Sequence, residues 1–184
     1  SEEYAESMLS GEAVLNALKQ LGVSYKDIVI TRKGEWLDNG FVKHPESALK
    51  TVDVVFIALH GQYGEDGQVQ RILERTKIPF TGSRALTSAI AFNKELTKHT
   101  LRSHNIKIDR HRQVSLHELE SIEDELPNIF SEIGSELFVK PVANGSSLGA
   151  RYVPNKDSLR SALTELLQQY DKVMIEEFIR GQEA

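Results

Sequence analysis

Cysteine is absent from this chain of 184 residues. That excludes a disulfide scaffold, a thiolate zinc site and a Cys nucleophile. It fits a reducing compartment without requiring one. Long apolar runs are missing too. The longest, Val52 to Leu59, is broken by Asp53 and falls far short of the roughly 20 residues that cross a bilayer. No membrane partner is expected. Nor is there an excess of positive charge: 22 Lys+Arg stand against 27 Asp+Glu, a net charge of -5. Such a chain neutralises a phosphate backbone poorly, so no nucleic-acid partner is expected. The six histidines show neither H-E-x-x-H nor H-x-H spacing, which argues against a His-based metal site. Repeats and low-complexity tracts are absent. What is present is an ordinary globular composition, 40% hydrophobic and 27% charged, enough for one large domain or two small ones.

Apolar residues from Met8 to Leu21 recur at helical spacing, and Gly22 stops them. Tyr25 to Thr31 is β-branched and reads as a strand. Gly34, Asp38, Asn39 and Gly40 mark a loop or hairpin around Trp36. Val52 to Leu59 reads as a strand covered on both faces. Gly61 to Gly67 is a loop, Gln68 to Arg75 a short helix, and Ile78 to Phe80 an extended segment. This alternation predicts a parallel α/β layer. After Gly82 the texture changes to strand pairs around loops, an α+β unit. Helices are predicted at 85–90, 94–104 and from an N-cap at Ser158, with strands near 111–114, 137–140, 150–153 and 173–178. The expected domains are residues 1–83 and 84–184, divided at a Thr-Gly-Ser turn. The chain opens without Met or a signal-peptide pattern and stops just after a strand-like run, so a fragment is expected.

Three clusters carry chemistry. In Phe138 to Gly149 an apolar strand ends at Lys140 and runs into the loop Asn144-Gly145-Ser146-Ser147. Such a loop offers successive N–H groups and hydroxyls to phosphate, and the lysine adds a point charge. No Gly-Lys-Ser/Thr follows, so it is not a Walker A loop; a hairpin with turn glycines fits equally. His60-Gly61-Gln62-Tyr63-Gly64-Glu65-Asp66-Gly67 follows a strand, where ligands of open α/β sheets bind. A helix entry capped by Asp66 or Gly67 is the other reading. Glu176, Glu177 and Glu183 surround the end of the last strand, positioned for ribose and adenine or for plain surface charge.

Together the clusters resemble the D-alanine–D-alanine ligase family of the ATP-grasp superfamily. His60 to Gly67 fits H-G-x-x-G-E-D-G, with Gln70 following. Lys140 to Gly149 fits K-P-x-x-x-G-S-S-x-G, and Glu176 to Glu183 fits E-x-x-x-x-G-x-E. Phe92-Asn93-Lys94 and Lys98 resemble M-D-K-x-x-x-K, with Phe and Asn in place of Met and Asp. Ser1-Glu2-Glu3 resembles the end of G-G-x-S-x-E, and Ser7 and Ser10 fit the serines after it. The resemblance implies an N-terminal pre-ATP-grasp α/β domain lacking its first strand, then the α+β central domain of an ATP-grasp fold. The resemblance also implies a C-terminal domain, carrying the Mg²⁺-binding carboxylates, that is expected to lie outside this chain.

The resemblance also implies roles. Lys98 and Lys140 contact ATP phosphates, and residues 144–149, including Ser146 and Ser147, cover the γ-phosphate. Glu176, Glu177 and Ile179 meet adenine, and Glu183 meets ribose. Glu3, Ser146 and His60 belong to the site of the first D-alanine. Lys94 has a weaker claim. The implied substrates are ATP and D-alanine, the cofactor Mg²⁺, the compartment the cytoplasm and the full-length assembly a homodimer. The implied reaction joins two D-alanines through an acyl phosphate for peptidoglycan precursors, and the fragment alone is expected to be inactive. Alternatives are a D-Ala–D-Lac or D-Ala–D-Ser ligase, another ATP-grasp ligase, and a non-catalytic nucleotide-binding remnant or interaction module.

Overall fold

The computed structural model describes residues 3–119, 121–145 and 149–182. The chain forms two compact units, Ser1–Phe92 and Asn93–Ala184.

In the first unit, α1 spans Tyr4–Gln20, and strands β1 (Ile28–Ile30), β2 (Trp36–Asp38) and β3 (Phe41–Lys43) form an antiparallel sheet in that order. Asn39 and Gly40, at φ 51° and 80°, form the two-residue turn that joins β2 to β3. Asn-Gly suits this turn because both central residues need positive φ. Three helices follow: α2 (Pro45–Ala48), α3 (Gln68–Thr76) and α4 (Ala85–Phe92). The core gathers Trp36, Ala48, Leu49, Val69 and Leu73. Trp36 buries its ring and donates its indole N–H to the Tyr63 hydroxyl at 3.0 Å, the usual requirement for a buried indole.

Pairing in this unit is more antiparallel than the alternation of elements implies. Among the described residues the parallel contact is one bridge, Val55 to Phe80. The expected strand at 52–59 makes that single bridge, with the Val55 N–H and C=O bonded to Pro79 and Thr81. Pro79 has no N–H to extend the ladder. Val54 and Phe56 are 59% and 58% exposed, so the run is not covered on both faces. The division of the units after Phe92, rather than at residue 83, leaves α4 packed on α3.

Asp38 is buried beneath the hairpin, 2.8 Å from Lys26 Nζ and 2.7 Å from Lys43 Nζ. Hydrogen bonds from Lys26 and then Lys43 hold its carboxyl below the ordinary aspartate value. A lowered folded-state pKa stabilises above the unfolded value, about 3.9, and that stabilisation is lost as pH falls through the folded value. Acid unfolding monitored by emission of the lone tryptophan, Trp36, should therefore be shallower below about pH 4 in Asp38→Asn. An unchanged acid limb would remove Asp38 from the account.

In the second unit, α5 (Lys94–Ser103) leads to β4 (His111–Ser115), a 3₁₀ turn, α6 (Ile122–Ile133), β5 (Leu137–Pro141), β6 (Arg151–Val153), α7 (Lys156–Leu167) and β7 (Lys172–Glu177). The antiparallel sheet has the order β4-β7-β5-β6. The α7 N-cap is Asn155 rather than Ser158, which closes a reciprocal capping box three residues on. Strand alternation sorts the sheet's two faces. Val114, Leu137, Val139, Val153, Val173 and Ile175 join the core formed with α6 and α7. On the opposite face, register places Phe138 beside Glu176, Lys140 beside Met174 and His111 beside Glu176.

Candidate nucleotide and substrate sites

The first turn of α5 sits against the chain leaving β5. Asn93 caps the helix, its side chain accepting from the N–H groups of Glu95 and Leu96. It therefore performs the capping that aspartate would supply. Asn93 bridges Ala143, and the Lys94 N–H donates to the Val142 carbonyl at 3.0 Å. Lys94 and Lys98, one turn apart, share a helix face. Lys94 Nζ donates to the Asn144 carbonyl at 2.7 Å, at the start of the glycine loop. Burial pushes the Lys94 ammonium below the ordinary lysine value; the charge of Lys140 adds to this and Glu176 opposes it.

Glu176 joins the other two lysines. Its Oε2 lies 2.6 Å from Lys140 Nζ and its Oε1 2.9 Å from Lys98 Nζ. Lys98 also pairs with Asp109. Burial pulls the Lys98 pKa down, but the hydrogen bonds it donates to Asp109 and Glu176 outweigh it, and the net value is raised. Among these five groups, three ammoniums face two carboxylates, leaving one positive charge beside the loop.

Lys98 pairs with two carboxylates, while Lys94 reaches the loop; no local sequence signal separates the two. The Glu176 carboxylate braces the lysines from within the sheet face. Glu177 pairs with Arg110 at 2.7 Å, and its N–H donates to the Arg110 carbonyl. Ile179 is exposed, and its amide has no hydrogen-bond partner among the described residues. Ser146, Ser147 and Glu183 lie outside the described residues. At the loop's far end, Gly149 has φ 75°, and a Cβ there would come within 2.9 Å of the Pro141 ring.

In the first unit the structure brings His60 to α1. Ser10 Oγ and His60 Nε2 are 2.8 Å apart, and the His60 N–H donates to Ser7 Oγ. Ser7 Oγ in turn donates to the Glu3 carbonyl at 3.0 Å. His60 Nδ1 faces Glu65 Oε1 at 3.8 Å, and Glu65 Oε2 accepts from the Gly61 N–H. The two serines, three apart on one helical face, thus tether the His60 loop. The loop is also a helix entry. Asp66 accepts from the Tyr63 and Gln68 N–H groups, and buried Gln70 donates to the Gly64 carbonyl.

Gly67 is the N-cap of α3 with φ 91°, and a Cβ there would run into the Ala85 carbonyl oxygen. Left-handed strain plus overpacking should make Gly67→Ala destabilising by roughly 2–4 kcal/mol. Gly11, inside α1 with open space around it, is the control: Gly11→Ala should stabilise by about 1 kcal/mol. Urea unfolding followed by Trp36 emission measures both, and equal effects would refute the packing argument.

The chain matches two family profiles. One, D-ala D-ala ligase N-terminus, covers residues 38–83. The other, D-ala D-ala ligase C-terminus, covers residues 101–184. A D-alanine–D-alanine ligase of Clostridium botulinum (strain 657 / Type Ba4) is 36% identical over all of this chain. The chain spans 56% of that relative's length. The crystal structure of D-alanyl-alanine synthetase A from Vibrio cholerae O1 biovar eltor superposes with a TM-score of 0.82 over 98% of this chain and 56% of that one, at 24% identity. The VanG D-Ala:D-Ser ligase from Enterococcus faecalis gives 0.77 over 98% and 60%, at 28% identity. The motifs, the mixed α/β units and these matches agree: the chain belongs to the D-alanine–D-alanine ligase family and spans about half the length of its curated relatives.

Proposed function

We propose that this chain supplies the D-alanine-side unit and the central ATP-grasp unit of an ATP-dependent D-alanine–D-alanine ligase. The supporting observation is the convergence of Lys94 and Lys140 on the strand exit and glycine loop, with Glu176 beneath them. In this reading one D-alanine carboxylate oxygen attacks the γ-phosphorus, forming an acyl phosphate and releasing ADP. The amine of the second D-alanine attacks the acyl carbon, loses a proton and expels phosphate. Such transfer depends on positioning and on neutralising phosphate charge rather than on a protein nucleophile. Lys94, Lys140 and the loop N–H groups take that role. Ile179 and the backbone after β7 meet adenine, and Glu183 meets ribose. Glu3, Ser146 and the tethered His60 attend the first D-alanine.

Mg²⁺ would supply neutralisation of phosphate charge in this chemistry and would take oxygen ligands, usually one or two carboxylates. The described residues hold no group of three or more His, Asp or Glu suited to a metal. Glu176 is already occupied by two ammoniums. The ligands of the ion come, in this reading, from outside these 184 residues. The 184 residues alone are accordingly expected to make no dipeptide. Phosphate release with ATP, Mg²⁺ and D-alanine, paired with chromatography for the dipeptide, should stay at background. Turnover of about 1 per second would overturn the division of labour. The similarity to a D-Ala:D-Ser ligase keeps D-serine as an alternative second substrate. The proposed compartment is the cytoplasm and the proposed full-length assembly a homodimer; no described helix is long and apolar enough to cross a membrane.

A further inference from the structure

We infer that Glu136 is a positioning residue for nucleotide-base recognition: its carboxylate and carbonyl clamp the chain leaving β7 so that the Ile179 backbone stays open to a purine base. The inference rests on the reading of that segment as the adenine contact. The segment is anchored on both sides of Ile179. The Glu177 N–H donates to the Arg110 carbonyl and the Phe178 N–H to the Glu136 carbonyl, each at 2.9 Å. Arg180 then returns to the same residue, donating from Nε to Glu136 Oε2 at 3.1 Å and from Nη2 to Oε1 at 2.6 Å. The Tyr152 hydroxyl donates to Oε1 as well. Between these anchors Ile179 is exposed, and its amide has no hydrogen-bond partner among the described residues.

Glu136 and Tyr152 lie outside the sequence motifs, and Arg180 holds an unspecified position within one. The sheet brings them together. Leu137 pairs with both Val153 and Glu177, so the residue just before β5 sits between β6 and the exit of β7. Aromatic rings support the clamp. The Phe178 ring stacks on Phe138 at 6.2 Å and meets the edge of Tyr152 at 4.8 Å, and the Arg180 guanidinium lies 5.6 Å from its centroid. An isolated exposed ion pair would contribute little. Here one carboxylate takes a two-pronged arginine and a phenol, which is a stronger and more directional arrangement. Hydrogen bonds from Arg180 and then Tyr152 hold the Glu136 carboxyl below the ordinary glutamate value, so it is ionised at neutral pH. Without the clamp, the cost of ordering residues 178–180 falls on the ligand and lowers its affinity.

The test compares two probes on the 184-residue chain: MgATP, and magnesium tripolyphosphate, which has the phosphates without the base. In titration calorimetry Glu136→Ala should weaken ATP binding by about 10-fold and leave tripolyphosphate unchanged. Tyr152→Phe should do the same to a smaller extent. Glu123→Ala is the control: it removes a comparable pair with Arg160 that joins α6 to α7, and should change neither probe. Amide exchange of Phe178 should quicken in Glu136→Ala while that of Ile175 stays slow. Equal weakening of both probes would make the role of Glu136 merely structural and overturn the inference. An unchanged preference for ATP in Glu136→Ala also overturns it, and leaves the adenine reading of the segment standing. An unaltered chain that binds ATP no more tightly than tripolyphosphate overturns that reading and the inference with it.

Discussion

Replacing Glu176 with glutamine should destabilise the second unit by about 3 kcal/mol, the low end of the range for breaking a buried ion pair. The side chain is 7% exposed and stands between Lys98 and Lys140. Glutamine keeps the shape but removes the charge that offsets two ammoniums. The low end applies because Lys98 retains Asp109 and Lys140 is 27% exposed to water. The pH dependence gives an independent check. Lys98 has a raised folded-state pKa, so its contribution is fully present below the unfolded value of about 10.4 and is lost as pH rises through the folded value. Urea unfolding from pH 7 to 11 should show a shallower alkaline decline in Glu176→Gln. A loss below about 1 kcal/mol with an unchanged decline would mean that the lysines do not depend on Glu176.

The second large effect concerns nucleotide. Lys140→Ala should weaken ATP binding by about 10- to 100-fold, corresponding to roughly 1.5–3 kcal/mol for a charge-assisted hydrogen bond. Lys172→Ala should leave it unchanged, since Lys172 lies at the exposed start of β7. Titration calorimetry of the two variants decides, and equal affinities would remove Lys140 from the phosphate site.

The sequence was most legible where short-range chemistry decides structure. The period of Met8 to Leu21 and the alternation in Leu137 to Pro141 lead directly to α1 and β5. The glycine-rich motifs marked both candidate sites because few residue types tolerate their backbone. What escaped was decided by distant partners. Nothing near Val52 to Leu59 shows that a single bridge pairs it. Lys94 and Lys98 are equivalent in a helical pattern; only the approach of Asp109 from the segment before β4 and of Glu176 from β7 separates them. The roles of Ser7 and Ser10 likewise required His60, fifty residues from Ser10, to be brought alongside.

The central claim is that ATP phosphates meet Lys94 and Lys140 beside the glycine loop. Its most direct test is NMR of the lysine ammoniums and backbone amides of the 184-residue chain during titration with MgATP. The Lys94 pKa, held down by burial and by Lys140, should rise as a polyanion arrives. The Lys94 and Lys140 Nζ resonances and the Gly145 and Gly149 amides should shift together, with Lys172 unmoved. Saturable shifts centred elsewhere in the chain, with Lys94 and Lys140 unchanged, would contradict the account.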